Sequence, residues 1–237
     1  MKKKYIEGSL HVLRESLKHR EPYSVEMCRK TFTVLPDVFS PAYFRDTEWL
    51  TESVLSSVAE RTGESAEGHR FLEIGCGAGV TTTCAALEGC DVTAVDINPE
   101  AVANTIENAR LHHVEERVHA DSGNIFTPLY EGAQFDTIYW NVPFGMVDDE
   151  SPSLAELSVL DPGYKAIRDF LHNATRFLDD DGRVLVGFSD TIGEPELLLQ
   201  FAREGGLDMN KRDSMIGTEV HPVTFDMYEG RKRSNLT

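Results

Sequence analysis

Phe71-Leu72-Glu73-Ile74-Gly75-Cys76-Gly77-Ala78-Gly79 decides the fold: a short apolar run that ends in glycines at every second position. Residues 70 to 74 have the length and apolar content of a buried strand. Gly75 and Gly77 can take φ > 0 or let a ligand lie against bare backbone. Val80 to Leu87 then reads as a helix whose first N–H groups face whatever sits over the glycines. An ordinary tight strand-to-helix turn shares these residues, so the spacing carries the argument. A dinucleotide turn is GxGxxG, with its third small residue at the position filled here by Val80, whereas this chain has GxGxG.

Outward from that turn the period is regular. Asp91 to Asp96 is a predicted strand, and Asn98-Pro99 caps a helix reaching about His112. Further strands fit at Val118 to Ala120, Thr137 to Trp140 and Arg183 to Ser189, with Asp161-Pro162 starting a helix and Asp180-Asp181-Gly182 making a turn. Such alternation predicts a mostly parallel sheet with right-handed crossovers and helices on both faces. Pro195 to Arg203 reads as a helix stopped by Gly205-Gly206, and Met209 to Ile216 pairs with Val223 to Tyr228 as an antiparallel edge. Upstream, Ile6, Leu10, Leu13 and Leu17 share one helical face, Phe32 to Leu35 is a small strand, and Ser40-Pro41 offers the cap of a helix carrying Leu50, Val54 and Val58. The expected organisation is a lead and cofactor-covering segment over 1–62, a catalytic domain over 63–230, and a flexible tail over 231–237.

Composition narrows the function. The 237 residues are 41% hydrophobic, enough for a full core, and no run approaches the ~18 apolar residues of a membrane span. A soluble, cytoplasmic protein is expected. Four cysteines, Cys28, Cys76, Cys84 and Cys90, form no CxxC pair, so they read as buried thiols and no metal site is expected. A net charge of −17 makes nucleic acid an unfavoured partner, because phosphate binding needs clustered Lys and Arg.

Three further stretches give the site. Asp96 brings a carboxylate to the end of the next strand, where it can accept from two ribose hydroxyls, and Ile97 follows it. After the third strand, Asp121 and Asn124 are both candidates to accept from an adenine amino group. At the end of the fourth strand stands Tyr139-Trp140-Asn141-Val142-Pro143-Phe144-Gly145.

Together with Glu73 ahead of GxGxG, this last stretch resembles the [N/D]PP[Y/F] branch of the class I S-adenosylmethionine-dependent methyltransferases, which contains the release-factor glutamine and rRNA guanine N2 enzymes. Val34 to Pro41 with Asp46-Thr47-Glu48 resembles the segment that precedes the glycine turn in that branch, and Asn124-Ile125-Phe126 resembles its "D-L-F" run. The likeness implies a Rossmann-like fold with a seven-stranded sheet and an antiparallel C-terminal edge strand. It implies S-adenosyl-L-methionine held by Glu73, Gly75, Cys76, Gly77, Asp96, Ile97, Asn124 and Asn141.

The motif has its own chemical reading. An amide or arylamine nitrogen is a poor nucleophile because its lone pair is delocalised, so it must be oriented. Asn141 through its side-chain oxygen and Val142 through its carbonyl can accept from both hydrogens of an NH₂ group, Pro143 holds the backbone, and Phe144 offers a flat face. Val142 stands where the branch usually has its first proline. Trp140 reads as core, and Gly145 to Leu160, with little periodicity, as a lid over the acceptor.

The lead ahead of Leu35 is short beside the substrate-gripping domain of bacterial release-factor enzymes. A small molecule or peptide is therefore the first expected acceptor, protein glutamine the second and rRNA or DNA the third. A non-catalytic cofactor-binding scaffold is the alternative from another class. The oligomeric state is left open.

Overall fold

The computed structural model describes residues 2–44, 46–148, 151–217 and 223–233. The chain opens with α1 (Lys2–Ser16), a hairpin of β1 (Tyr23–Met27) and β2 (Lys30–Val34), and α2 (Asp46–Thr62). There follow β3 (Arg70–Ile74), α3 (Val80–Leu87), β4 (Asp91–Asp96), α4 (Pro99–Leu111), β5 (Val118–Ser122) and β6 (Phe135–Asn141). A short parallel pair, β7 (Gly145–Val147) and β8 (Leu160–Pro162), precedes α5 (Lys165–Phe177), β9 (Leu178–Phe188), α6 (Pro195–Glu204), β10 (Leu207–Gly217) and β11 (Val223–Lys232).

Seven strands form one sheet in the order β10-β11-β9-β6-β3-β4-β5. β3, β4, β5, β6 and β9 pair in parallel, and β11 lies antiparallel between β9 and β10. The C-terminal strand is thus antiparallel, as expected, but β10 and not β11 forms the edge. The α6 crossover carries β10 one strand beyond β9, and the return hairpin fills the slot between them.

Strand alternation explains why both faces are covered. Leu72, Ile74, Ile138, Trp140, Val184 and Val186 point to one side, where they pack with Ile167, Phe170 and Leu171 of α5 and Leu198 of α6. Their neighbours Phe71, Tyr139 and Leu185 point to the other, against Leu50, Val54 and Val58 of α2 and Ala85 of α3. From β3 the chain runs outward to β4 and β5, then returns to place β6 on the opposite side of β3. The carboxyl ends of β3 and β6 therefore flank a topological switch point, the crevice in which α/β sheets bind ligands.

Three boundaries differ from expectation. Ser40-Pro41 does not cap α2, which starts at Asp46, because the Ser40 hydroxyl is taken by Tyr23 Oη. Asp161-Pro162 lies in β8, not at a helix start, yet the Asp161 carboxylate caps α5 from there, accepting from Ala166 N at 3.1 Å and Ile167 N at 2.8 Å. Asp180 to Gly182 is absorbed into β9, where the register against β6 jumps between Phe135 and Thr137. Arg231 and Lys232, expected in the tail, pair with Asp208 and Leu207 as the end of β11, while residues 234–237 lie outside the described residues.

Candidate active site

Glu73, Gly75, Cys76 and Gly77 from the end of β3, Asp96 and Ile97 from β4, and Asn124 beyond β5 line one cavity at the switch point. Asn141, the last residue of β6, and Pro143 just beyond it line the same cavity. Of the acceptor-site residues named from sequence, Val142 and Phe144 do not. The Val142 side chain is buried in the core, and the Phe144 ring packs near Phe188 and Phe225, with centroids 6.2 and 6.5 Å away.

The glycine turn is held mostly by its own bonds. Gly75 and Cys76 both donate to Val95 O, at 2.7 and 3.3 Å, Gly77 donates to Asp96 Oδ2 at 2.9 Å, and Gly79 to Cys76 O at 2.8 Å. The three glycines serve two purposes. A Cβ at Gly75 would stand 2.8 Å from Trp140 Nε1, and one at Gly79 would stand 2.8 Å from Thr105 Cα of α4, so both positions need glycine for packing. Gly77, at φ +54°, has nothing within 4 Å of where a Cβ would stand. It leaves open space at the cavity wall.

Asp96 is fixed by Gly77 N on one oxygen and by Asn98 N at 2.9 Å on the other. Burial raises its pKa, opposed by the N–H groups of Asn98, Gly77 and Ile97. Asn98 caps α4 through Glu100 N at 3.1 Å and donates to Asp37 O at 2.9 Å. On α4, Asn104 and Asn108 bond the backbone of Thr33 and Leu35, so the segment following β2 is pinned beside the cavity. Asn124 lines the cavity, whereas Asp121 lies 2.8 Å from His119 Nε2 and is not among the lining residues.

Two buried carboxyls stand at the site. Glu73 accepts from the Thr82 hydroxyl, and burial pushes its pKa up to about 8. Asp46, at the first turn of α2, is pushed up to about 6 by burial, offset in part by Asn141. Asn141 Nδ2 donates to Asp46 Oδ2 at 3.3 Å. Asn141 Oδ1 is buried without a partner, and among the described residues no donor reaches the Val142 carbonyl. Two acceptors on adjacent residues are therefore unspent.

The turn after β6 is braced on both sides. Val142 N donates to Gly187 O at 3.2 Å, a bond that the family's proline has no N–H to make. Tyr164, buried and at φ +51°, donates its hydroxyl to Phe144 O at 2.6 Å and accepts from Glu194 N at 3.1 Å. This draws the Phe144 ring into the aromatic group of Phe188 and Phe225, away from the cavity it was expected to face. Leu13 of α1 and Leu17 just after it line the cavity with Leu154, Leu157 and, from β8, Leu160, and Leu13 packs in one cluster with Val159 and Leu160.

Sequence reasoning missed Tyr164, the α1 leucines and the tie between Asp46 and Asn141. The leucines were visible as a helical stripe, but a stripe does not say what it covers. Tyr164 stands just after Asp161-Pro162, which reads as a helix start, and nothing local marks its long-range bond.

A methyltransferase domain family model matches residues 65–204. The release factor glutamine methyltransferase of Salmonella typhimurium is 32% identical over 212 residues, which cover 83% of this chain and 73% of that protein. The corresponding Vibrio cholerae protein is 30% identical over 194 residues, covering 75% of this chain and 64% of that one. Among solved structures, the T. thermophilus 16S rRNA N2 methyltransferase in complex with AdoMet and guanosine shares the fold, with a TM-score of 0.62 and 20% identity over 90% of this chain and 50% of that one. Glycine turn, switch-point cavity and family match agree, and the chain belongs to the S-adenosylmethionine-dependent methyltransferases.

Proposed function

We propose that the chain is an N-methyltransferase whose acceptor is a planar, uncharged nitrogen, such as that of a carboxamide, on a small molecule or peptide. The observation that carries this reading is the cavity-lining Asn141, whose Oδ1 is buried without a partner, next to a Val142 carbonyl that no described donor reaches. A buried polar atom left unpaired costs about 1–3 kcal/mol; Oδ1 is sealed from solvent, and a Cβ at Gly187 would stand 2.8 Å from it, so a donating ligand reaches it only once the wall there opens.

The cavity suits S-adenosylmethionine: the open wall at Gly77, Asp96 at the strand end, and Glu73, Gly75, Cys76, Ile97 and Asn124 around them would hold it. When bound, it supplies a methyl group on a positively charged sulfur with a neutral thioether as leaving group. With the wall at Gly187 open, Asn141 Oδ1 and the carbonyl of Val142, a residue outside the lining as it stands, would each accept one hydrogen of the acceptor NH₂ and so fix its plane. Asp46 keeps the Asn141 amide from turning, and Tyr164 with Gly187 keeps the backbone of the turn from moving. Positioning of this kind supplies up to about 7–11 kcal/mol in favourable cases, so no histidine base is required.

The charged side chains lining the cavity are Asp37, Glu73, Asp96 and Asp161, with no Lys, Arg or His among the described lining residues. That argues against a phosphate-bearing acceptor. A second reading, a glutamine carboxamide in a protein, is favoured by the likeness to release factor glutamine methyltransferases and uses the same clamp. Incubation with methyl-labelled cofactor and a panel of carboxamides, arylamines, glutamine peptides, glutamine-bearing proteins and RNA oligonucleotides tests both. Label on a carboxamide or amine nitrogen is expected. Label on RNA alone would exclude the reading.

A further inference from the structure

We propose that Trp140 contacts the cofactor directly, its indole N–H donating a hydrogen bond to S-adenosylmethionine; the proposal rests on the cofactor reading above. Trp140 is paired in register with Ile74 of β3, which sets its ring beside the first residue of the glycine turn. A Cβ at Gly75 would meet Nε1 at 2.8 Å and Cδ1 at 3.3 Å, so the indole and the turn are fitted to one another. The ring stands edge-on to Phe170, with centroids 5.2 Å apart at 74°, and the residue is only 8% exposed. Its orientation is therefore fixed by packing.

That N–H has an open direction. No described group accepts from Nε1, yet the nitrogen is absent from the sealed polar atoms that lack a partner, which are Thr83 Oγ1, Asn141 Oδ1, Arg183 Nε and Ser189 Oγ. Trp140 also lines the cavity. An indole N–H held nine-tenths buried is expected to find an acceptor, and the cavity is where one can arrive.

The cavity also has a use for such a donor. The amides of Gly75, Cys76, Gly77 and Gly79 are spent on Val95, Asp96 and Cys76. Its charged lining is acidic, which suits the cationic groups of the cofactor, so the acceptor atoms, the amino-acid carboxylate above all, depend on neutral donors such as this indole and the first N–H groups of α3. A neutral N–H on a rigid ring answers that need without the desolvation penalty of a buried Lys or Arg.

The chain has two tryptophans, so Trp49→Phe leaves Trp140 as the single indole. In that variant, labelled with ¹⁵N-tryptophan, S-adenosylhomocysteine is expected to move the indole N–H resonance downfield and slow its exchange with water. Trp140→Phe is expected to bind S-adenosylhomocysteine about tenfold more weakly by calorimetry while melting cooperatively. Repeating the titration with 5′-methylthioadenosine, which lacks the amino-acid end, locates the bond. Weakening for S-adenosylhomocysteine alone places it on the carboxylate end, and weakening for both places it on the nucleoside. An indole resonance that stays put while calorimetry records binding, or an unaltered affinity in Trp140→Phe, overturns the proposal. If Trp140→Phe fails to fold, the resonance decides alone. Absence of any calorimetric binding by the unmutated chain would instead refute the cofactor reading beneath it.

Discussion

Asn141 donates its amide N–H to the buried carboxylate of Asp46 across 3.3 Å, which leaves Asn141 Oδ1 as the free end of a tethered amide. The tether joins the first turn of α2 to the last residue of β6. It fixes which end of the amide faces Asp46, since a carboxylate can only accept. Asp46→Ala should free the amide to rotate and lower methyl transfer by about tenfold or more, with S-adenosylhomocysteine affinity held within about threefold. Single-turnover transfer and calorimetry on the same preparations check this.

Asp46 also sets a pH dependence of stability. Its folded-state pKa is raised from 3.8 to about 6, so the folded chain holds the proton more tightly than the unfolded one. The stabilisation linked to that proton is complete below pH 3.8 and is lost as the pH rises through 6, a difference of roughly 3 kcal/mol at ~1.36 kcal/mol per unit. Asp46→Asn should therefore gain stability over the parent at pH 8, with the gain shrinking towards pH 4. Denaturant titrations at the two pH values measure it, and an equal gain at both would contradict the assignment.

Glu73 couples cofactor binding to protons. With its pKa pushed up to about 8 it is mostly neutral at pH 7, while a ligand carrying an ammonium and a sulfonium favours the carboxylate. S-adenosylmethionine binding at pH 7 should release a proton, and affinity should rise between pH 6 and 8. Glu73→Gln should abolish both. Calorimetry in buffers of different ionisation enthalpy counts the proton.

Restoring the family's proline should do harm. Val142→Pro removes the N–H that bonds Gly187 O and leaves that carbonyl without its partner, at a cost of about 1–3 kcal/mol. Tyr164→Phe strands Phe144 O and Glu194 N in the same way and should lower transfer more than cofactor affinity. Chemical denaturation and single-turnover transfer on both variants test the pair. If Val142→Pro were more stable than the parent, the hydrogen bond would not be what replaces the proline ring.

Much of this was legible in the sequence because it is local. Arg70–Ile74, Val80–Leu87 and Asp91–Asp96 begin and end where apolar period and glycine placement put them, and Asn98-Pro99 caps α4 as read. Asp96 and Asn124 reach the cavity because strand ends at a switch point converge whatever the intervening helices contain. What was not legible depends on contacts distant in sequence. Ser40 looks like a cap until Tyr23 takes its hydroxyl, and Phe144 looks like a stacking face until Tyr164 takes its carbonyl. The β1–β2 hairpin turns through Cys28 and Arg29 at positive φ, without the glycine or asparagine that normally announces such a turn.

The most direct measurement of the central claim is methyl transfer to a carboxamide acceptor by Asn141→Ala, with S-adenosylhomocysteine affinity measured alongside. Loss of one preorganised hydrogen-bonding group in a buried site should lower turnover on the order of a hundredfold, with affinity changed by no more than about threefold. Turnover at the parent's rate, or a fall fully accounted for by lost cofactor affinity, would contradict the assignment of Asn141 to the acceptor.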